Sequence, residues 1–187
     1  GIAHWNLLQL AQALYPLFDD EAPLQAGLDA YVATYETDTR THLCAKLGLR
    51  SFDDAAATLC ERLYGLLAQG EIDMTLFFRR LAHWPLSEPT AAMSTPFAAF
   101  FAAACYDTTR AQQVDAEFTA WLRGYAALAR QQGVSDDAVR RAGMDAVIPF
   151  YVPGNYLAQQ AIDAAHAGDL GELEMLFDTL RTPYVEQ

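Results

Sequence analysis

Residues 155–183 read NYLAQQAIDAAHAGDLGELEMLFDTLRTP, and this stretch decides the fold class. Asn155 is the residue type that closes a helix N-terminus, because a short polar side chain can accept a hydrogen bond from the orphan amides of the first turn. The helix it opens stops at Gly168, the residue that tolerates a left-handed stop. Asp169 then starts a second helix, with Glu172 three residues later in capping-box spacing, and Pro183 lies beyond its end. Two capped helices in 29 residues, with no strand signal between them, predict helix on helix.

Just upstream, residues 148–155 read IPFYVPGN. A proline disfavours helical geometry in the residue before it, so Pro149 and Pro153 hold Ile148 and Val152 extended. The spacing predicts an extended segment that lays Phe150, Tyr151 and Val152 across neighbouring helices. Gly154 is expected to permit the turn, and Asn155 to cap the next helix.

The rest of the chain repeats the helical pattern. Trp5, Leu7, Leu8, Leu10, Leu14 and Leu17 fall on one face of a first helix that ends near Pro16. Residues 22–49 form a long second helix, with Leu24, Leu28, Tyr31, Val32 and Tyr35 at three- and four-residue steps and Gly48 at its far end. Ser51 is the expected cap of a helix closing at Gly70, and Asp73 of a short one over MTLFFRRLAHW. Pro85, Pro89 and Pro96 rule out a continuous helix over 85–96, which reads as a surface loop. A small aromatic helix comes next over 97–104, then a long one over 112–133, then a short one begun by Ser135. The fold class is all-α, a compact bundle of about seven to nine helices given ordinary helix lengths. Residues 1–187 are read as one helical domain.

Composition narrows the partners. The chain has 187 residues, 52% of them hydrophobic and 19% charged, with a net charge of −12. That is a packed, acidic protein. Lys46 is the one lysine among 12 basic residues, so both a basic surface for nucleic acid and a polybasic membrane signal are lacking. The most apolar run, FAAFFAAAC at 97–105, is too short to span a bilayer, which takes about 20 residues. No signal-peptide pattern opens the chain. Cys44, Cys60 and Cys105 show neither pairing nor metal spacing, and read as reduced, buried thiols of a cytoplasmic protein.

Chemistry is sparse. His4, His42, His83 and His166 are scattered, with no two at the helical spacing of a zinc pair. No P-loop, G-x-S-x-G or G-x-G-x-x-G pattern occurs. The acidic runs Asp19-Asp20-Glu21, Asp53-Asp54 and Asp136-Asp137 fall where the helix dipole alone accounts for them. Arg79 and Arg80 could clamp an anion, but in so acidic a chain they are expected to bind carboxylates of a neighbouring helix. Trp5 and Trp121 are expected in the core. The residues therefore nominate no catalytic, cofactor-binding or metal-binding position.

Several stretches, taken in order, carry a family likeness: IAHWNLLQLAQALYPL at 2–17, KLGL at 46–49, DMTLFFRRL at 73–81, the Trp121-x-x-x-Tyr125 pair, and YVPGNYLAQQAIDAAHAGDLGELEMLFDTLRTPYVEQ at 151–187. Together they resemble the C-terminal part of the selenoprotein O (SelO, or YdiU) family, and the closing segment is the specific one. The resemblance implies the helical C-terminal region of a kinase-like fold. It implies a pseudokinase that takes ATP in a flipped orientation, with Mg²⁺ or Mn²⁺, and transfers AMP to hydroxyl side chains of proteins. It places the family's nucleotide- and metal-binding residues upstream of the stretch matched here. It also implies a further tail after PYVEQ bearing cysteine or selenocysteine. This chain would then be a structural, non-catalytic part of an enzyme, and its partners would be the kinase-like N-terminal region and protein substrates. The alternative is a stand-alone helical interaction module, a truncated relative without activity that binds a protein partner or pairs with itself through an exposed apolar face. Two departures stand out: the family typically reads Asn-Pro-x-x-Val-x-Arg-Asn where this chain has Ile148 in place of the asparagine and Gly154 in place of the arginine.

Overall fold

Helix periodicity dominates because alanine and leucine are abundant and, among the described residues, no proline lies inside a helix beyond the first turn, where Pro23 of 22–46 is tolerated. In the computed structural model, which describes residues 1–86 and 97–185, the elements are all helical. They are α1 (Ile2–Leu14), α2 (Ala22–Lys46), α3 (Asp54–Gln69), α4 (Met74–Ala82), α5 (Phe97–Phe100), α6 (Thr108–Gln113), α7 (Asp115–Gln131), α8 (Asp137–Asp145), α9 (Asn155–His166) and α10 (Gly171–Arg181). Short 3₁₀ turns cover Tyr15–Leu17 and Ala102–Ala104. The expected all-α fold is the observed one. The loop expected over 85–96 lies largely outside the described residues.

The chain divides into two compact units, Gly1–Leu43 and Cys44–Gln187. The first holds α1 and most of α2, and neither helix has a buried residue. Trp5 is 55% exposed, contrary to its expected place in a core. Two helices cannot enclose each other's apolar stripes without a third layer. Inside this unit His4, Tyr31 and Tyr35 stack in a row, with ring centroids 6.3 and 5.9 Å apart.

The second unit has the core. Ala56, Cys60, Leu63, Leu66 and Leu67 form the inner stripe of α3, which packs on Phe118, Trp121, Leu122, Tyr125 and Ala129 of α7. Trp121 lies in the core as expected, and its indole Nε1 donates to the Leu59 carbonyl at 2.8 Å. An aromatic cluster fills the space beside α4. Phe97 and Phe118 stack with centroids 3.9 Å apart, and Phe77 and Phe101 at 4.9 Å. Each such ring removes roughly 150–250 Å² from water, so this cluster supplies much of the burial that holds α4, α5 and α7 together.

Around that core one cation is almost completely enclosed. Arg140 of α8 has a side chain 1% exposed. Its Nη1 donates to the Leu81 carbonyl at 3.3 Å and to the Tyr125 hydroxyl at 3.1 Å, while Nη2 donates to the carbonyls of Ala82 and Trp84. Asp137, one turn earlier, lies 3.3 Å from Nη2. These carbonyls belong to the end of α4, where a helix leaves its last acceptors unpaired and presents the negative end of its dipole. The Tyr125 hydroxyl passes the network on, donating to the Leu47 carbonyl at 2.7 Å, and burial pushes its pKa up to about 12. Gly48, next in the chain, has φ +59°, and a Cβ there would lie 2.7 Å from Arg140 Cγ.

Helix starts differ from the sequence expectation in an instructive way. Asp53, not Ser51, caps α3 by accepting from the Ala56 amide, because the Ser51 amide and carbonyl are both bonded to the Gln132 side chain. Asp136, not Ser135, caps α8, and Asp73 caps α4 as expected. The long helix expected over 112–133 breaks at Val114 into α6 and α7, and Gly133 ends it at φ +76°. Asn155 is the first helical residue of α9 and makes no cap; Gly154 occupies the cap position. Asp169 accepts from the Gly171 amide at 2.9 Å, with Leu170 at the cap position of α10, one residue later than expected.

Urea unfolding of single variants tests these contacts. Asp136→Ala is expected to cost about 1 kcal/mol through its two lost amide bonds, and Asn155→Ala no more than a few tenths. Arg140→Met is expected to cost about 3 kcal/mol or more, since it strands buried carbonyls and a tyrosine hydroxyl. Gly133→Ala, in open space, is expected to lose about 1 kcal/mol from backbone strain alone, and Gly48→Ala clearly more.

Candidate functional site

The extended segment ends against the last turn of the chain. The amides of Phe150 and Tyr151 both donate to the Pro183 carbonyl, at 2.6 and 3.2 Å. Phe150 lies against Arg79 of α4, in keeping with a segment expected to cross other helices, whereas Val152 is 55% exposed. Gly154 has an ordinary φ of −73°, so no turn demands glycine there. A Cβ at that position would meet the Tyr156 ring at 2.7 Å, and Tyr156 is exposed enough to swing away.

Between α4, the end of α8 and this crossing lies a cleft of about 590 Å³, lined by Leu76, Arg79, Arg80, His83, Ala103, Asp145, Phe150 and Tyr184. Arg79 is built into its wall. Its Nη1 donates to Asp145 Oδ1 at 2.9 Å, its Nη2 to the Tyr184 carbonyl at 2.9 Å, and its guanidinium lies 5.0 Å from the Phe150 ring centroid. The side chain is 12% exposed, and its Nε is buried with no partner among the described residues. The carboxylate pairing expected for these arginines is therefore met by Arg79.

Arg80 takes another course. Its Nε and Nη2 both donate to the Phe100 carbonyl, at 3.2 and 2.9 Å, and the guanidinium lies over the Phe100 ring. His83, at the C-cap of α4, has its imidazole pushed below the ordinary histidine range. Partial burial is the first cause and the positive charge of Arg141 the second, with Arg80 and Arg79 adding to it and Asp145 opposing. Two arginines and a histidine thus line this cleft beside a single carboxylate, in a chain whose net charge is −12.

The other candidate residues do not converge. Asp20 accepts from the Ala22 amide, while Asp53 and Asp136 are helix caps. The three cysteines are free thiols, of which Cys60 is buried and Cys44 and Cys105 are partly so; burial raises the pKa of each. Among the described residues no three His, Cys, Asp or Glu side chains gather as a metal site requires. The side chains of the described residues therefore do not form a Mg²⁺ or Mn²⁺ site. No helix among the described residues is long and apolar enough to cross a membrane.

The family model described as protein adenylyltransferase SelO matches residues 1–181. The chain belongs to the SelO family. Similar proteins include three called protein nucleotidyltransferase YdiU. The one from Azoarcus sp. (strain BH72) is 47% identical over 186 residues, that from Aromatoleum aromaticum 44%, and that from Methylobacillus flagellatus 40%. Each match covers all of this chain and 34% of the relative, so the chain spans about a third of the length of the curated relatives it matches.

The SelO likeness makes the two departures informative. Ile148, where the resemblance led asparagine to be expected, is 2% exposed, with its amide donating to the Met144 carbonyl at 3.0 Å. An apolar side chain suits that buried place without needing partners. At Gly154, where the resemblance led arginine to be expected, the Tyr156 ring occupies the space a longer side chain would enter.

His83 gives a direct check on the cleft's field. Its imidazole is expected to titrate below about 6.5 by NMR, and Arg141→Gln to move the midpoint upward. Stability inherits a definite sign from this shift. The unfolded imidazole takes its proton first, so His83 makes stability fall as the pH drops from about 6.5 towards the lower folded value. Above about 6.5 it contributes no pH dependence.

Proposed function

We propose that this chain is the helical C-terminal region of a SelO-type protein adenylyltransferase, an enzyme that moves AMP from ATP to hydroxyl side chains of proteins. In this reading the chain is structural. The residues that bind ATP and Mg²⁺ or Mn²⁺ belong to the part of the family protein that it does not match. The observation that carries the reading is the family match over residues 1–181, together with relatives named nucleotidyltransferases that match over the whole chain. The three unpaired thiols support a cytoplasmic setting.

The first unit supports a contact role. Ile2, Trp5, Leu10, Tyr15 and Leu17 are each more than half exposed, and a groove of about 650 Å³ within the unit is lined by Leu7, Ala30, Tyr31 and Tyr35 among others. Exposed apolar surface of this kind marks an interface. The kinase-like region is its proposed partner. The same surface also favours the second reading, a stand-alone module that pairs with a copy of itself.

Two measurements separate these readings. The complete protein is expected to transfer labelled AMP from ATP to protein substrates, and this chain alone to transfer none; transfer by the chain alone would overturn the structural reading. Sedimentation decides between the partners. Concentration-dependent dimers abolished by Trp5→Asp would favour the module. A chain that stays monomeric, with Trp5 emission shifting to the blue only in the complete protein, would favour the kinase-like region.

A further inference from the structure

The cleft walled by Arg79 contains more positive charge than its own packing uses. Among the described residues Asp145 is the one carboxylate that lines it, and Arg79 already holds that group. Arg80 spends two nitrogens on a single carbonyl and leaves Nη1 without a partner among the described residues. Arg141 is exposed and makes no hydrogen bond or ion pair among them, yet it acts electrostatically on His83. The carbonyls at the end of α4, which would repel an anion, are already covered by Arg140. Leu76, Phe150 and Tyr184 supply the apolar part of the cleft's lining.

We propose that this cleft is a binding site for a small phosphate monoester. The phosphate sits against Arg80 and His83, within the field of the nearby Arg141, and the apolar body of the ligand lies against Leu76, Phe150 and Tyr184. Guanidinium groups suit this task because their planar donors match phosphate oxygens and stay charged at any physiological pH. Arg79 is a positioning residue: locked between Asp145 and the Tyr184 carbonyl, it holds the aromatic wall in place. His83 would gain its proton as the dianion arrives, since a neighbouring negative charge favours the imidazolium. The site is separate from the proposed AMP transfer and does not depend on it.

The experiment is an NMR titration of the His83 imidazole in this chain, with inorganic phosphate and phenyl phosphate as probes and sodium chloride holding ionic strength constant. Phosphate is expected to raise the His83 midpoint by about half a pH unit or more, an ordinary effect of one close opposite charge. Phenyl phosphate is expected to bind about fivefold more tightly than inorganic phosphate, through ring contact with Phe150 and Tyr184. Arg141→Gln, at an exposed position, is expected to keep the fold and weaken phosphate binding about threefold. Arg80→Gln should weaken it further, and a mixed result caused by a damaged fold would show in the chain's far-ultraviolet circular dichroism. A midpoint shift reproduced by chloride alone, or binding untouched by Arg141→Gln, would overturn the phosphate site. Equal affinity for the two probes would overturn the apolar half.

Discussion

The architecture of the larger unit depends on one buried guanidinium. Taking Arg140 out of water costs several kcal/mol unless every face of the ion finds a partner. Here the partners are the carbonyls at the end of α4, the Tyr125 hydroxyl of α7 and the Asp137 carboxylate. The two problems cancel: a helix end needs donors, and a buried cation needs acceptors. The solution also dictates its surroundings. Tyr125 must point at Leu47, and the chain at position 48 must bend left-handed with no side chain, because Arg140 and Met144 occupy that volume.

The cleft is a consequence of this arrangement. With α4 tied at its end by Arg140, the preceding turn sets Arg79 into the cleft wall and leaves Arg80 exposed. The crossing of 150–151 at the Pro183 carbonyl then supplies Phe150 and Tyr184 to the cleft's lining. Arginine is used here in three ways within a small volume. Arg140 is buried and saturates acceptors, Arg79 is half structural and half wall, and Arg80 and Arg141 remain open to solvent. Such a gradient from core to surface gives an acidic chain a local positive field without a basic surface. The first unit obeys another constraint. Its apolar residues follow the helical period, as in a core-facing helix, yet none is buried.

Much of the fold was legible from spacing. Every helix expected from periodicity exists in some form, and Asp73, Gly48, Gly133 and Gly168 punctuate the chain where their chemistry suggested. The errors cluster at caps. Ser51, Ser135 and Asn155 are good capping residues by type, but Asp53, Asp136 and Gly154 take those positions. Residue type says which side chains can accept an amide proton, and several adjacent residues in these turns can. The choice among them depends on contacts such as Gln132 with Ser51, which join positions 81 residues apart.

The sequence by itself determined the all-α class, the positions of most helices and membership of the SelO family, because these rest on local periodicity and ordered motifs. It also placed Trp121 inside and paired an arginine of α4 with a carboxylate of its neighbour. Only the tertiary structure decided that Arg140 would be the buried ion, that Trp5 would lie exposed, and that Arg79, His83, Asp145, Phe150 and Tyr184 would share one cleft. Nothing in the local pattern distinguishes Arg140 from Arg141. The difference is the direction each points from α8, which turns about 100° per residue, and one direction meets the end of α4 while the other meets water.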